Sequence, residues 1–257
     1  SILFIILKMF PLSRTGQYVL TMGLLVFYSF LTGGQPPVVR ATIMAVVFLA
    51  GFLVEREHES INTLSAAALI LLLMNPMNLF DVGFQLSFMS VLFIILFYPK
   101  CMNLLDKWLP RFKEEVEERD KGRFLSIKLQ IIRYFLQSVA VSITAYVGVV
   151  VLVIYYFHLF TPVVIVANLV VVPLASLIMF LGMGLLAVGV LLPSVAFAFA
   201  NCITVLLNLM VGSVFFFAQV PGAYFQVEHF PQAIVVIYYG VIILILTGIR
   251  LLSKSSQ

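Results

Sequence analysis

The sequence predicts an all-α protein: a polytopic bundle of transmembrane helices, one of them proline-broken or re-entrant. Three observations lead there. Hydrophobic residues make up 63% of the 257 residues and charged residues only 10%, with a mean hydropathy of +1.15. A soluble domain carries about a quarter charged residues. Apolar runs of bilayer-spanning length, about 20 residues each, recur along the chain. Lys and Arg fall between those runs in a pattern that a single orientation satisfies.

The runs can be taken in order, with boundaries set to within a few residues. Ile2–Phe10 reads as the end of a helix. Ser1 opens the chain inside that run with no Met and no signal-peptide n-region, so a preceding segment is expected. Gly16–Leu31, Pro37–Val54, Ile61–Asn75 and Val82–Tyr98 follow as spans. Together they make an N-terminal membrane unit over 1–99. Residues 100–130 form the longest polar segment, with the mixed-sign run Lys113–Lys121 and the interface anchors Trp108, Leu109 and Phe112. It reads as a charged cytoplasmic connector. A second membrane unit over 131–257 holds Ile131–Phe157, Pro162–Leu192, Val195–Ala218 and Ala233–Leu252.

Orientation follows from the basic residues. Lys8, Arg14 and Arg56 share one side with the cluster from Lys100 to Arg133. Arg250 and Lys254 join them if Pro162–Leu192 crosses once. That side is predicted to be the cytoplasm. The exception is Arg40, at the outer end of its span.

Pro162–Leu192 is too long for one straight crossing. As a helix it would measure about 46 Å against a hydrocarbon core of about 30 Å. Pro173 lies inside it, and proline removes a backbone donor and clashes with the preceding turn. A break or re-entrant loop is expected there, with Asn168 near it. Irregular backbone at membrane depth is tolerated against protein or a water-filled cavity. An ordinary proline kink is the alternative.

Polar groups within spans are the functional candidates. Arg40 lies in the first turn of a helix opened by Pro36-Pro37. A cation there opposes the helix dipole and needs a partner. Asp81 could supply an ion pair, and a visiting phosphate could be gripped bidentately. Asp81 is also placed to N-cap the Val82–Tyr98 helix. Gln85, with Phe88 beside it, lies one turn on and should face protein or water. Gln130, Arg133, Gln137 and Thr144 recur at helical spacing, as do Asn201, Thr204 and Asn208, followed by Gly212. Both stripes should point into the bundle. Interhelical bonding and a wet lumen explain them equally. Tyr155, Tyr156 and His158 end the sixth span, either as an aromatic belt or as a stacking surface for unpaired bases.

Catalysis finds little support. His58-Glu59 lacks a second histidine at zinc spacing, and there is no GxSxG or Walker A motif. Neither a cofactor nor a metal is called for. Cys101 and Cys202 form no CxxC and read as free thiols.

Several stretches together resemble the membrane domain of the ComEC competence-protein family. They are Gly33-Gly-Gln-Pro-Pro-Val-Val-Arg40-Ala, Asn75-Pro-Met-Asn-Leu-Phe-Asp81-Val-Gly-Phe-Gln85-Leu-Ser-Phe88 and Phe97-Tyr-Pro, then Tyr156-Phe-His158 and Ala167-Asn168-Leu-Val-Val-Val-Pro173-Leu. The resemblance implies an inner-membrane helical channel that passes single-stranded DNA to the cytoplasm during natural transformation. It implies a DNA receptor outside and an ATP-driven motor inside. The family's OB-like and metallo-β-lactamase-like domains are not in this sequence, so nuclease activity is not assigned to it. Arg40, Asp81, Gln85, Phe88, Gln137, Thr144, Tyr156, His158, Asn168, Asn201 and Asn208 are then the candidates to line the DNA path. The competing reading is a secondary transporter of a small anion, with its site at the Pro173 break. A third is a scaffold whose polar groups only bond helices together.

Overall fold

The computed structural model describes residues 13–53, 60–117, 123–189 and 193–255. The expected span Ile2–Phe10, the basic residues Lys8 and Arg56, and His58-Glu59 lie outside them. The described residues form eight α-helices: α1 (Arg14–Leu31), α2 (Pro36–Leu53), α3 (Ser60–Met74), α4 (Val82–Glu117), α5 (Arg123–Phe157), α6 (Val164–Gly189), α7 (Pro193–Gln219) and α8 (Gln232–Ser255). A 3-10 turn, Pro76–Phe80, joins α3 to α4. Two short strands, β1 (Leu159–Phe160) and β2 (Phe225–Gln226), pair antiparallel. Windows in α2, α4, α5, α6 and α7 are long and apolar enough to cross a membrane; α3 and part of α8 are shorter apolar helices. The chain is a multi-pass membrane protein of helical-bundle class.

It divides into two compact units, residues 1–100 and 101–257. In the first, α1 starts at Ser13, whose Oγ accepts the Gly16 N–H. It ends at Thr32-Gly33-Gly34. Both glycines have positive φ, +73° and +63°, a region open to glycine at no steric cost. Their amides donate to the Phe30 and Ser29 carbonyls and close the helix. Gln35 then offers its carbonyl to the Val38 and Val39 amides, and the prolines fill the next two positions, where no N–H is needed. This stop-and-restart segment sets Arg40 one turn into α2.

The core of the unit joins α3 and α4. Leu64, Ala67 and Leu71 present one face of α3, and Phe84 and Phe88 one face of α4. Val39, Ile43, Met44 and Val47 of α2 pack on that cluster. Ala67 is completely buried, and its small side chain lets the helices approach.

In the second unit, α6 and α7 pair closely along their length, and α5 meets α6 and α8. Tyr238 and Tyr239 of α8 donate their hydroxyls to the Val147 and Gly148 carbonyls of α5, each at 2.8 Å. The strands tie the α5–α6 connection to the α7–α8 connection, in register Leu159↔Gln226 and Phe160↔Phe225. Both connections therefore sit at the same end of this unit, and α6 and α7 run out and back as a hairpin. The starting end of α5 and the finishing end of α8 share the opposite end.

One expectation needs correction. The helix is not broken at Pro173: α6 runs continuously from Val164 to Gly189 with that proline inside. Its apolar window, Val164–Leu185, is 22 residues, about 33 Å at helical rise, and fits a bilayer core. Pro162 and Val163 belong to a turn, and the 26-residue helix extends four residues past that window. Pairing with α7 lets the helix absorb one lost backbone bond. The charged connector, in turn, is helical wherever it is described, its two parts extending α4 to Glu117 and starting α5 at Arg123.

Candidate functional site

An ion pair that also caps a helix organises the polar cluster of the first unit. Arg40, in the first turn of α2, donates from Nη1 to Asp81 Oδ1 at 2.5 Å. The same oxygen accepts the Phe84 amide at 2.7 Å and so caps α4. One carboxylate oxygen thus serves the cation and the helix start, and the expected ion pair and cap coexist. The pair also fixes the starts of α2 and α4 at the same end of the unit. Exposure is asymmetric: the Arg40 side chain is 10% accessible and Asp81 46%. Arg40 Nε is buried and has no hydrogen-bond partner among the described residues.

The turn before α4 is built from its own amides. Asn75 Oδ1 accepts the Met77 N–H at 3.0 Å. Asn78 donates its side-chain amide back to the Leu71 carbonyl, which also accepts the Asn75 N–H and so serves both donors at the end of α3. Gln85 donates to the Leu79 carbonyl at 2.9 Å, so its amide is turned onto the protein. Gly83 is the residue that sequence reasoning missed. A Cβ there would collide with Arg40 Nη2 and sit 3.2 Å from Cζ and 3.3 Å from Asp81 Oδ1. Glycine therefore makes room for the guanidinium. The signal was present in the motif, but a glycine in a first helical turn reads only as a weak helix former.

Other candidates fall in different surroundings. Phe88 is not on an open wall: it is buried, with its ring 4.3 Å from that of Phe84, inside the apolar core. Thr144 is likewise buried and spends its hydroxyl on the Ala140 and Val141 carbonyls of its own helix, at 2.8 and 3.0 Å. The α5 stripe therefore divides, with Arg133 exposed, Gln137 half-buried and Thr144 enclosed. Asn168 is half-buried on α6. The α7 stripe does not turn inward. Asn201, Thr204, Asn208 and Gly212 are all exposed, because the packed side of α7 is the one that meets α6.

His158 has φ +57°. Its N–H closes the last turn of α5 on Ile154, and its carbonyl accepts the Val227 N–H. It links the end of α5 to β2 while its side chain stays exposed. Tyr156 meets Tyr155 edge-on at 4.9 Å. Phe160 bridges Tyr146 and Phe225, at 6.3 and 6.2 Å between ring centres.

The first unit also bears an open groove of about 540 Å³, lined by Ala41, Met44, Phe48, Leu64, Ala67 and Ile95 among others. Its wall is mostly apolar and carries no charged side chain; Ser60 and Thr63 are its two hydroxyl-bearing residues. No three His, Cys, Asp or Glu side chains come together as metal ligands among the described residues. Cys101 and Cys202 are free thiols.

The model of the competence-protein family matches residues 1–252. The chain belongs to the competence-protein family. It is similar to ComE operon protein 3 of Bacillus subtilis (strain 168), with 41% identity over 86 residues, 34% of this chain and 11% of the relative. It is also similar to an uncharacterized protein of Aquifex aeolicus (strain VF5), with 31% identity over 96 residues, 37% of this chain and 23% of that protein. The aligned regions thus span under a quarter of either relative. No solved structure matches the chain.

Proposed function

We infer that this chain is the membrane-spanning part of a channel that passes single-stranded DNA into the bacterial cytoplasm during natural transformation. Membership of the competence-protein family over residues 1–252 carries this reading. The distribution of polar groups supports it. A moving polyanion needs a path that is polar without being strongly cationic, so that entry and release stay balanced. Amides suit that requirement. Asn201 and Asn208 on the exposed face of α7, with Gln137 and Asn168 half-buried on α5 and α6, are such groups. In contact with lipid they would be costly. The aromatic groups near His158 would meet bases at one end of the second unit.

In this reading the protein lies in the bacterial plasma membrane, with 100–130 and the C-terminus in the cytoplasm. A DNA receptor outside delivers the strand and an ATP-driven motor inside draws it through. The OB-like and metallo-β-lactamase-like domains of the family act beside it. We assign no catalytic step to these 257 residues. The continuous α6 removes the helix break that motivated a small-anion transporter.

The test is Asn208→Leu in the full-length competence protein. The expected result is normal membrane abundance with import of labelled single strand reduced about tenfold or more, since each unmatched polar group on the path costs on the order of 1–3 kcal/mol. Unchanged import would remove Asn208 from the path. Lost abundance together with lost import would mark it as a bundle-bonding residue.

A further inference from the structure

Arg40 is held by a weaker partner than its chemistry allows. A guanidinium offers a fork of five N–H donors suited to bidentate recognition of carboxylate or phosphate. Asp81 uses one oxygen on Nη1, and that oxygen is shared with the Phe84 amide. The Arg40 Nε, on a side chain nine-tenths buried, has no partner among the described residues. Its Nη2 lies against Gly83, where any side chain would collide. Asp81 itself is nearly half exposed. The cation is thus buried, incompletely satisfied, and covered by an anion that solvent or a ligand can reach.

We propose that Arg40 is a phosphodiester-binding group and that Asp81 is its built-in competitor, displaced by each arriving phosphate and restored when that phosphate leaves. This rests on the reading of the chain as a DNA conduit. A bare buried arginine would be costly without a partner and would hold a polyanion too firmly with one. A carboxylate that returns to the same donor solves both problems. It keeps the charge compensated between phosphates, and its repulsion of a neighbouring phosphate speeds release. A phosphate brings more acceptor oxygens than Asp81 commits, so it can also serve the unpaired Nε. A resident lipid headgroup has no need of such a competitor; a strand that must advance does. The exchange forms and breaks only ion pairs and hydrogen bonds.

The sign of one substitution tests this. Asp81→Asn keeps an oxygen to cap Phe84 and removes the competing charge. The full-length protein, in nanodiscs of zwitterionic lipid, is titrated with a fluorescent oligothymidylate. Asp81→Asn should bind about tenfold more tightly than wild type, a difference of about 1.4 kcal/mol, and should release the strand more slowly. Arg40→Gln should abolish that gain, leaving the double variant equal to Arg40→Gln alone. Equal binding by wild type and Asp81→Asn overturns the exchange and leaves the conduit reading intact. No binding by any variant overturns both. A gain that disappears when anionic lipid is added, with the lipid phosphate cross-linking to the site, reassigns Arg40 to headgroups and overturns the proposal.

If Asp81→Asn fails to reach the membrane, hydrogen exchange on wild type decides. The Phe84 amide should exchange faster when oligothymidylate is bound, because Asp81 has left it. Unchanged protection with the strand bound contradicts the proposal.

Discussion

Gly83→Ala separates a packing argument from a propensity argument, because the two predict opposite signs. In an exposed helix, replacing glycine with alanine stabilises by up to about 1 kcal/mol. Here the new methyl would collide with Arg40 Nη2 and sit 3.2 Å from Cζ and 3.3 Å from Asp81 Oδ1. The guanidinium is nine-tenths buried and cannot swing freely into solvent. If it shifts within the core, overpacking costs about 1–3 kcal/mol. If the pair with Asp81 breaks, the cost is roughly 3–5 kcal/mol, toward the low end because Asp81 is nearly half exposed. After a propensity gain of about 1 kcal/mol the net loss is about 0–2 kcal/mol if the guanidinium shifts and about 2–4 kcal/mol if the pair breaks. Thermal unfolding of the full-length protein in one detergent, at one scan rate, should show a lower midpoint for Gly83→Ala. In an Arg40→Ala background the same change should be neutral or stabilising, since the obstacle is gone. A Gly83→Ala protein more stable than wild type, or the same change in midpoint with and without Arg40, would refute the account of why glycine stands there.

Three further outcomes follow from particular contacts. Tyr238→Phe and Tyr239→Phe each remove a hydroxyl bond to an α5 carbonyl; each should cost about 0.6 kcal/mol. The double variant should melt measurably lower, and an unchanged midpoint would show those bonds to be weightless. Asn78→Ala removes one of the two bonds to the Leu71 carbonyl, which keeps the Asn75 N–H, and should cost about 0.5–1 kcal/mol, read as faster amide exchange at the end of α3; equal exchange would refute the cap. Phe88→Ala opens a cavity in the core of the first unit, with a loss of about 3–5 kcal/mol. Membrane abundance should fall, whereas normal abundance with altered DNA import would return Phe88 to the path.

The fold class was legible in the sequence because bilayer thickness dictates helix length, and composition leaves nothing else to build. The pairing of Arg40 with Asp81 was legible too: a cation at a helix start needs an anion, and Asp81 stood at the start of another span at the matching end. What periodicity could not give was depth of burial. Phe88 and Gln85 share a helix face by spacing, yet one lies in a dry core and the other reaches back to Leu79. Thr144 reads as part of a polar stripe but satisfies itself on its own helix, a bond that leaves no trace at a distance in sequence. Asn201 and Asn208 demand a polar environment, and spacing cannot say whether a helix or water supplies it. Pro173 misled because proline's local cost is certain, whereas its effect on a packed membrane helix depends on the neighbour. The two connections of the second unit are joined by a strand pair of two residues on each side, too short for any alternation to reveal.

The most direct measurement is thiol accessibility along the inferred path. Single cysteines would replace Gln137, Asn168, Asn201 and Asn208 in a full-length protein lacking Cys101 and Cys202, with Leu69 of α3 and Leu177 of α6, on the opposite face from Asn168, as apolar-surface controls. The probe is a charged, membrane-impermeant thiol reagent, applied with and without single-stranded DNA. The conduit account predicts labelling at the four polar positions, protection of them by DNA, and inert controls. Inert polar positions in a well-folded protein would contradict it and leave a sealed bundle whose amides bond helices together.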